Sequence, residues 1–426
     1  MKRTLRGHQR ITLMLLFAAG VINFLDRSSL SIASTTIQRE MHLNGTQIGW
    51  LLTVFSLAYG LAQLPLIGMI DRLGTRSVLG VGLILWSAAQ MLSGFVRGMP
   101  GFVALRVVLG AGEAPFYPAG VRSVREWFSP AVRGRATAFM SMSQTLSLAA
   151  APPILTGMIL TLGWRHSFML LGLLGLVVAV LWLILQRSRG STLFAEAHAS
   201  LAMSGPEALR TLLRQRTVWG MMLGFGGVNY TSWLYISWLP GYLQTQRHLS
   251  LAKSGWVAAL PFLCGALGML SSGVLADREV RSGFALTSVH RVNLVAGMVL
   301  SAFCTWRVAQ STTTFAAVAG ISGALFCIHF AGTSGWGYVQ AVSPQPYVAS
   351  LTALQNFASF MIASTAPVLT GWLLDRTHSF NLALSVCSVF TLLGAISYAT
   401  LAAPDGMHIT TDLKSPDAVL QRNGVK

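Results

Sequence analysis

Charge is what this chain has least of. Of its 426 residues, 10% are Asp, Glu, Lys or Arg and 53% are hydrophobic. Water-soluble domains carry about 25% charged residues, which keep their surfaces hydrated. A chain of this length would fold in water as two or three domains, each needing such a surface. A bilayer removes that need, provided the backbone satisfies its own hydrogen bonds in helices or a closed barrel. The alternation of a barrel is lacking too. Its strands would read as segments of about ten residues with alternating polarity, and the apolar runs here are longer and continuous. Cysteine is scarce: Cys264, Cys304, Cys327 and Cys387 fall in apolar segments without metal-ligand spacing. Neither a metal site nor a disulfide framework is expected, and the thiols are expected to be buried and inert. The apolar segments also lack a nucleophile with its base, so an intramembrane enzyme is excluded and no cofactor is expected. Acidic residues number 13 against 30 basic ones, a net charge of +17. Nucleic-acid binding would need those charges on one face; here they are scattered between apolar runs.

Those runs are what the chain has in abundance. Asp, Glu, Lys and Arg are missing from 41–70, 77–96, 136–164, 166–186, 217–246, 254–276, 308–374 and 377–404. A spanning helix needs about 20 apolar residues. The run 308–374 must hold two spans, broken at Ser343-Pro344-Gln345-Pro346. With the polar-interrupted segments, the pattern predicts twelve helices near 11–33, 47–70, 77–96, 101–123, 133–157, 164–186, 216–243, 254–276, 288–307, 315–340, 349–374 and 380–402. The basic start before the first apolar run mimics a secretory signal. The run continues into Asp26-Arg27, so an uncleaved first span is expected. With both termini inside, internal segments hold 21 Lys and Arg and external loops hold 7. Basic residues accumulate on the cytoplasmic side, so both termini are expected there.

The longest polar stretch between spans, 187–215, divides the chain six plus six. The expected organisation is a first half over 1–186, a cytoplasmic linker over 187–215, a second half over 216–402 and a cytoplasmic tail over 403–426. A short interfacial helix is expected at Pro206–Arg214, where Leu209, Leu212 and Leu213 share a face. Pro153-Ile154-Leu155-Thr156-Gly157 is echoed by Pro367-Val368-Leu369-Thr370-Gly371, and Asp71-Arg72 by Asp277-Arg278. Repeated halves around a central site are a common plan of secondary transporters.

Among charged residues, only Asp26, Arg27, Arg106 and Glu113 lie well inside predicted spans. Each costs about 2.5–3.5 kcal/mol at mid-helix on insertion scales, and such residues mark function by default. They balance, two carboxylates against two guanidiniums. Arg106, Gly110 and Glu113 share one helix face by spacing, with Gly110 expected to leave an open notch between the charges. Pro115 and Pro118 are expected to kink that helix. Buried salt bridges that only dock helix one on helix four are the alternative. Uncharged polar stripes continue the pattern: Tyr59 and Gln63; Ser141, Gln144 and Thr145; His329, Thr333, Trp336 and Gln340; Thr352, Asn356 and Ser359. Such stripes also serve as packing contacts between membrane helices.

Asn23-Phe24-Leu25-Asp26-Arg27 with Leu30-Ser31 resembles the first-span motif of the anion:cation symporters of the major facilitator superfamily. Arg106, Leu109-Gly110 and Gly112-Glu113-Ala114 before Pro118 resemble their fourth-span motif. Asp71-Arg72-Leu73-Gly74-Thr75-Arg76 resembles the superfamily's loop motif, with Gly68 one position late. Trp238-Leu239-Pro240 and Tyr242-Leu243 resemble the end of the seventh span. Within the family the likeness is to bacterial sugar-acid:proton symporters, D-galactonate carriers among them. The resemblance implies an all-α fold of twelve helices in two halves. It implies substrate contacts at Arg27, Tyr59, Gln144, Trp336 and Asn356, proton coupling at Asp26 and Glu113 with Arg106 buried beside them, and a conformational role for Asp71, Arg72, Gly74 and Arg76. Two departures stand out. Phe24 replaces a tyrosine, and Thr333 and Gly335 stand where two hydroxyl side chains are expected, which leaves Thr333 as the remaining contact.

The expected function is secondary transport of a small organic anion with protons. The anion is expected to be a sugar acid: galactonate or a related aldonate, uronate or aldarate. An aromatic or other carboxylate, and an uncoupled facilitator or exchanger, remain open. The partners expected are substrate, protons and lipid, with the chain acting as a monomer.

Overall fold

The computed structural model describes residues 2–186, 206–344 and 347–402. Among them every regular element is helical: α1 (Lys2–Met41), α2 (Gly45–Ser93), α3 (Met99–Glu113), α4 (Phe116–Trp127), α5 (Pro130–Leu185), α6 (Pro206–Leu213), α7 (Arg216–Thr245), α8 (Leu251–Arg281), α9 (Leu286–Ala309), α10 (Thr314–Val342), α11 (Val348–Ala363), α12 (Thr365–Thr377) and α13 (Asn381–Thr400). The twelve expected spans are all there. α2 and α5 each hold two of them, turned at Gly74 (φ 77°, ψ 162°) and Gly163 (φ 76°, ψ 159°). That backbone region is open to glycine and strained for other residues. The fourth span breaks between Glu113 and Phe116, at Pro115, as the prolines predicted. The eleventh breaks at Ser364.

α1 is longer than the expected 11–33, because polar residues at both ends keep helical geometry outside the apolar window. At 1.5 Å per residue it measures about 60 Å, against about 30 Å of hydrocarbon. At its far end Asn44 and Gln47 form a capping box that starts α2; each satisfies a backbone N–H of the other. The expected helix after the linker is present as α6. The linker itself, over 187–205, and the tail over 403–426 lie outside the described residues.

Large apolar side chains crowd the exterior: Leu160, Leu173, Val180, Ile184, Leu263, Leu270, Val274, Phe303 and Leu393 are all exposed. A water-facing surface would not tolerate such a contiguous apolar coat; lipid does. Of the four free thiols only Cys387 is buried. The expectation of four buried thiols is thereby corrected: Cys264, Cys304 and Cys327 sit at the margins of their helix contacts and are half-buried.

The two halves meet closely at one end of the bundle, where α2 packs on α12 and α5 on α8. The α2–α12 seam is nearly backbone on backbone. A Cβ added to Gly49 would lie 2.5 Å from the Pro367 carbonyl oxygen, and one on Gly371 would strike the Gly45 carbonyl. At the α5–α8 seam, a Cβ on Gly255 would lie 3.0 Å from the Pro152 carbonyl oxygen. The repeated Pro-to-Gly segments, 153–157 and 367–371, thus stand at the two equivalent seams. Asp375 clamps one of them. Its Oδ1 accepts from the Gly45 N–H at 2.8 Å and its Oδ2 from the Thr46 N–H at 2.7 Å, at the start of α2. A carboxylate there satisfies unpaired donors and complements the helix dipole. Thr53 donates to the Ser364 carbonyl at 2.7 Å and Trp238 Nε1 to the Pro367 carbonyl at 3.1 Å.

Candidate functional site

The four intramembrane charges come together between α1 and α3. Arg27 Nε donates to Glu113 Oε2 at 2.6 Å, with side chains 10% and 0% exposed. The Arg27 guanidinium lies 4.4 Å from the Tyr59 ring, 5.0 Å from Phe24 and 5.5 Å from Phe55. Aromatic faces attract a guanidinium and shield it from water. Phe24 therefore keeps the ring face of the tyrosine it replaces and loses only the hydroxyl. The helix-face argument had set Glu113 beside Arg106. Its hydrogen-bonded partner is Arg27 instead, reached across the helix interface.

Gly110 does not leave an open notch. A Cβ there would lie 3.1 Å from the Tyr59 backbone nitrogen and would strike the Phe55 carbonyl, because α2 packs its backbone into that place. The glycine admits a neighbouring helix rather than a ligand. That packing carries Tyr59 and Phe55 up to Arg27.

Arg106 is 2% exposed, with its guanidinium 5.6 Å from the Phe102 ring. Buried polar atoms in this cluster lack a hydrogen-bond partner in the protein: both carboxyl oxygens of Asp26, and Nε and Nη2 of Arg106. Buried polar groups are nearly always paired, and a group left unpaired costs about 1–3 kcal/mol. The protein's own side chains thus leave much of this cluster's bonding capacity unused.

The second half faces this cluster with uncharged groups. Asn356 Nδ2 donates to Gln63 Oε1 at 3.2 Å, a bond between the halves. Asn229 Nδ2 donates to Ser359 Oγ at 2.7 Å. Trp336 stands edge-on to Phe225, ring centroids 5.0 Å apart. Thr333 donates its hydroxyl to the His329 carbonyl at 3.1 Å, which leaves its lone pairs to accept. Gln144 is half-buried on α5. Arg27, Tyr59 and Glu113 are thus in direct contact; Trp336 and Thr333 have their nearest partners within the second half. His329 packs on Gly265, where a Cβ would lie 2.6 Å from its ring.

Four rings bridge the halves: Phe55 and Tyr59 of α2, Trp233 of α7 and Phe360 of α11. Their centroids are 5.4 Å apart for Tyr59–Phe360, 6.3 Å for Phe55–Trp233 and 6.0 Å for Trp233–Phe360. Sequence reasoning missed Asn229 and these rings other than Tyr59. Asn229 carried a signal, as the one asparagine of α7. Phe55, Trp233 and Phe360 carried none, because a ring facing a partner helix reads like a ring facing lipid.

The loop motif is structural at close range. Gly74 turns the chain, and Thr75 Oγ1 donates to Glu126 Oε2 at 2.9 Å, at the end of α4. Arg76 donates to the Leu183 carbonyl through Nε and Nη2, and Trp182 Nε1 donates to the Arg76 carbonyl at 3.0 Å. The turn so ties together the ends of spans three, four and six. Asp71 lies in the last turn before the bend, and Arg72 beside it is exposed. Burial raises the Glu126 carboxyl above its ordinary range, against the opposing pull of Thr75 and Arg122.

The Major Facilitator Superfamily model matches residues 16–363. Over 403 residues the chain is 47% identical to a probable L-galactonate transporter of Escherichia coli strain K12, covering 92% of this chain and 89% of the relative. It is 29% identical to a probable galactarate/D-glucarate transporter of the same strain, covering 91% and 93%. It is 28% identical to a D-galactonate transporter of Escherichia coli O6:H1, covering 93% and 96%. Among solved structures, a D-xylose–proton symporter superposes with a TM-score of 0.75 at 13% identity, covering 93% of this chain and 99% of the other.

Proposed function

The chain belongs to the Major Facilitator Superfamily, a multi-pass membrane transporter and not an enzyme, and from that premise we propose that it carries a sugar acid across the bacterial inner membrane together with protons. The observation that carries the coupling is the 2.6 Å pair between Arg27 and Glu113. The guanidinium offers a planar fork for a carboxylate. Glu113 engages one donor of that fork, Nε. A proton on Glu113 neutralises it and frees Arg27 for the carboxylate of the substrate. When the proton leaves, Glu113 reclaims Arg27 and the substrate loses its anchor. Proton and anion therefore enter and leave together. Asp26 is the second carboxylate, buried with both oxygens unpaired, and is assigned a second proton. One proton with a monoanion is electroneutral. Two protons move one positive charge, worth about 2.3 kcal/mol per 100 mV.

Tyr59, Gln144, Thr333 and Asn356 are assigned to the hydroxyls of the substrate and Trp336 to its apolar face. With both termini cytoplasmic, as the arginine distribution requires, the sealed end carrying Asp375 faces outward. The halves rock about the central site to expose it alternately, with Asp71, Arg72, Gly74 and Arg76 at the hinge of the first half.

Glu113→Gln tests this reading. Glutamine is permanently neutral, like a protonated glutamate. In proteoliposomes the variant is expected to keep counterflow of labelled against unlabelled L-galactonate and to lose accumulation driven by an inward proton gradient. Intact accumulation would remove Glu113 from the coupling and leave Asp26 alone. Loss of both activities would identify a structural ion pair.

A further inference from the structure

The charges of the central site are confined to one half. Asp26, Arg27, Arg106 and Glu113 all belong to α1 and α3, whereas α7 beyond Arg216, α10 and α11 contain no Asp, Glu, Lys or Arg at all. The side chains that the second half presents to α2 and to the site, Asn229, Asn356, Ser359 and Trp336, are neutral, and the two amides are already held by Ser359 and Gln63. Of the two arginines, Arg106 is 2% exposed and lies over the Phe102 ring. Among the described residues of the cluster, Arg27 is thus the more accessible cation, 10% exposed and bordered by the rings of Phe24, Phe55 and Tyr59.

On the sugar-acid reading given above, we infer that the site selects acids with one carboxylate and rejects those with a carboxylate at each end. An extended six-carbon acid anchored at Arg27 directs its far end to the neutral half. A hydroxymethyl group there exchanges hydrogen bonds with amides and hydroxyls. A second carboxylate there loses its water and meets no cation, and an isolated desolvated charge is far costlier than a desolvated hydroxyl. Glu113 does not help, because one proton neutralises one carboxylate only. The discrimination is built by leaving a charge without a partner, a stronger device than a difference in fit.

The experiment is calorimetric titration of the full-length protein in nanodiscs at pH 7 with three ligands. These are L-galactonate; galactarate, the diacid with the same carbon chain and hydroxyl pattern; and the monoamide of galactarate, which has the size of the diacid and the charge of the monoacid. The expected result is binding of L-galactonate, at least tenfold weaker binding of galactarate, and recovery to within threefold with the monoamide. Galactarate binding within threefold of L-galactonate would overturn the inference and leave the sugar-acid reading standing. A monoamide as weak as the diacid would overturn it as well, since size rather than charge would then be rejected. If none of the three binds, the sugar-acid reading itself fails. Asn356→Arg supplies the converse: the added cation is expected to raise galactarate affinity relative to L-galactonate at least tenfold, and an unchanged ratio counts against the inference.

Discussion

The two halves of this bundle use the same scaffold for different chemistry. The first half places four ionisable side chains between α1 and α3, two of each sign, and leaves much of their bonding capacity unused. The second half puts amides, hydroxyls and an indole at the corresponding depth and uses them against one another and against α2. Charge in a membrane is tolerated where it is neutralised or where it works; on the proposed function, concentrating it in one half would let a single cluster handle both protons and the carboxylate. On the same proposal, the other half would be free to recognise shape and hydroxyl pattern without disturbing the charge balance.

The largest test of that division is Arg27→Lys. Lysine keeps the charge and loses the planar fork. If the first half is the anion clamp, uptake of L-galactonate in proteoliposomes is expected to fall about 100-fold or more, the loss of an interaction of about 3 kcal/mol. Near-native apparent affinity would dissolve the contrast between the halves. A smaller effect is expected across the seam. Trp336→Ala and Asn356→Ala should each weaken binding about tenfold, the range of one neutral hydrogen bond or aromatic contact. Their accumulation at saturating substrate should still follow the proton gradient. If either variant uncouples transport while binding normally, the second half takes part in proton handling. The smallest effect is expected at Asp375, an acid of the second half that touches the first. Asp375→Asn keeps an acceptor for one N–H of α2 and loses the charge at its helix terminus, about 1 kcal/mol. A cysteine at Thr53, which is 3% exposed in the seam, is then expected to react severalfold faster with an impermeant thiol reagent in the Asp375→Asn background. L-galactonate affinity measured from the other side should not change. An unchanged reaction rate would mean that the seam closes without Asp375.

The sequence made the spans legible because a bilayer punishes misplaced charge so consistently that the gaps between Asp, Glu, Lys and Arg are themselves the signal. It made the four buried charges legible for the same reason, and Pro115 predicted the break in the fourth span. Pairing across the fold was not legible. Helical spacing could set Arg106 and Glu113 on one face, but Arg27, 86 residues away from Glu113, meets it only because of how α1 lies against α3. Gly110 was misread for a related reason: a missing side chain looks like space until the neighbouring helix is known. The clamp at Asp375 was not legible either, since nothing local reveals that a helix of the other half begins beside it.

The glycine seam between α2 and α12 bears on a different property, the tightness of the carrier. Gates closed by side chains can flicker, since one rotamer change opens a path wide enough for a proton or a water file. Where Gly49 lies against the Pro367 carbonyl and Gly371 against that of Gly45, there is no side chain to swing aside. Such a seal parts only when whole helices separate, a slow collective motion. If the carrier is proton-coupled as proposed, slip, the passage of protons without cargo, is confined to the moments when the halves exchange positions. Under that proposal, the stoichiometry of the cycle would be guarded by the two side chains that Gly49 and Gly371 lack.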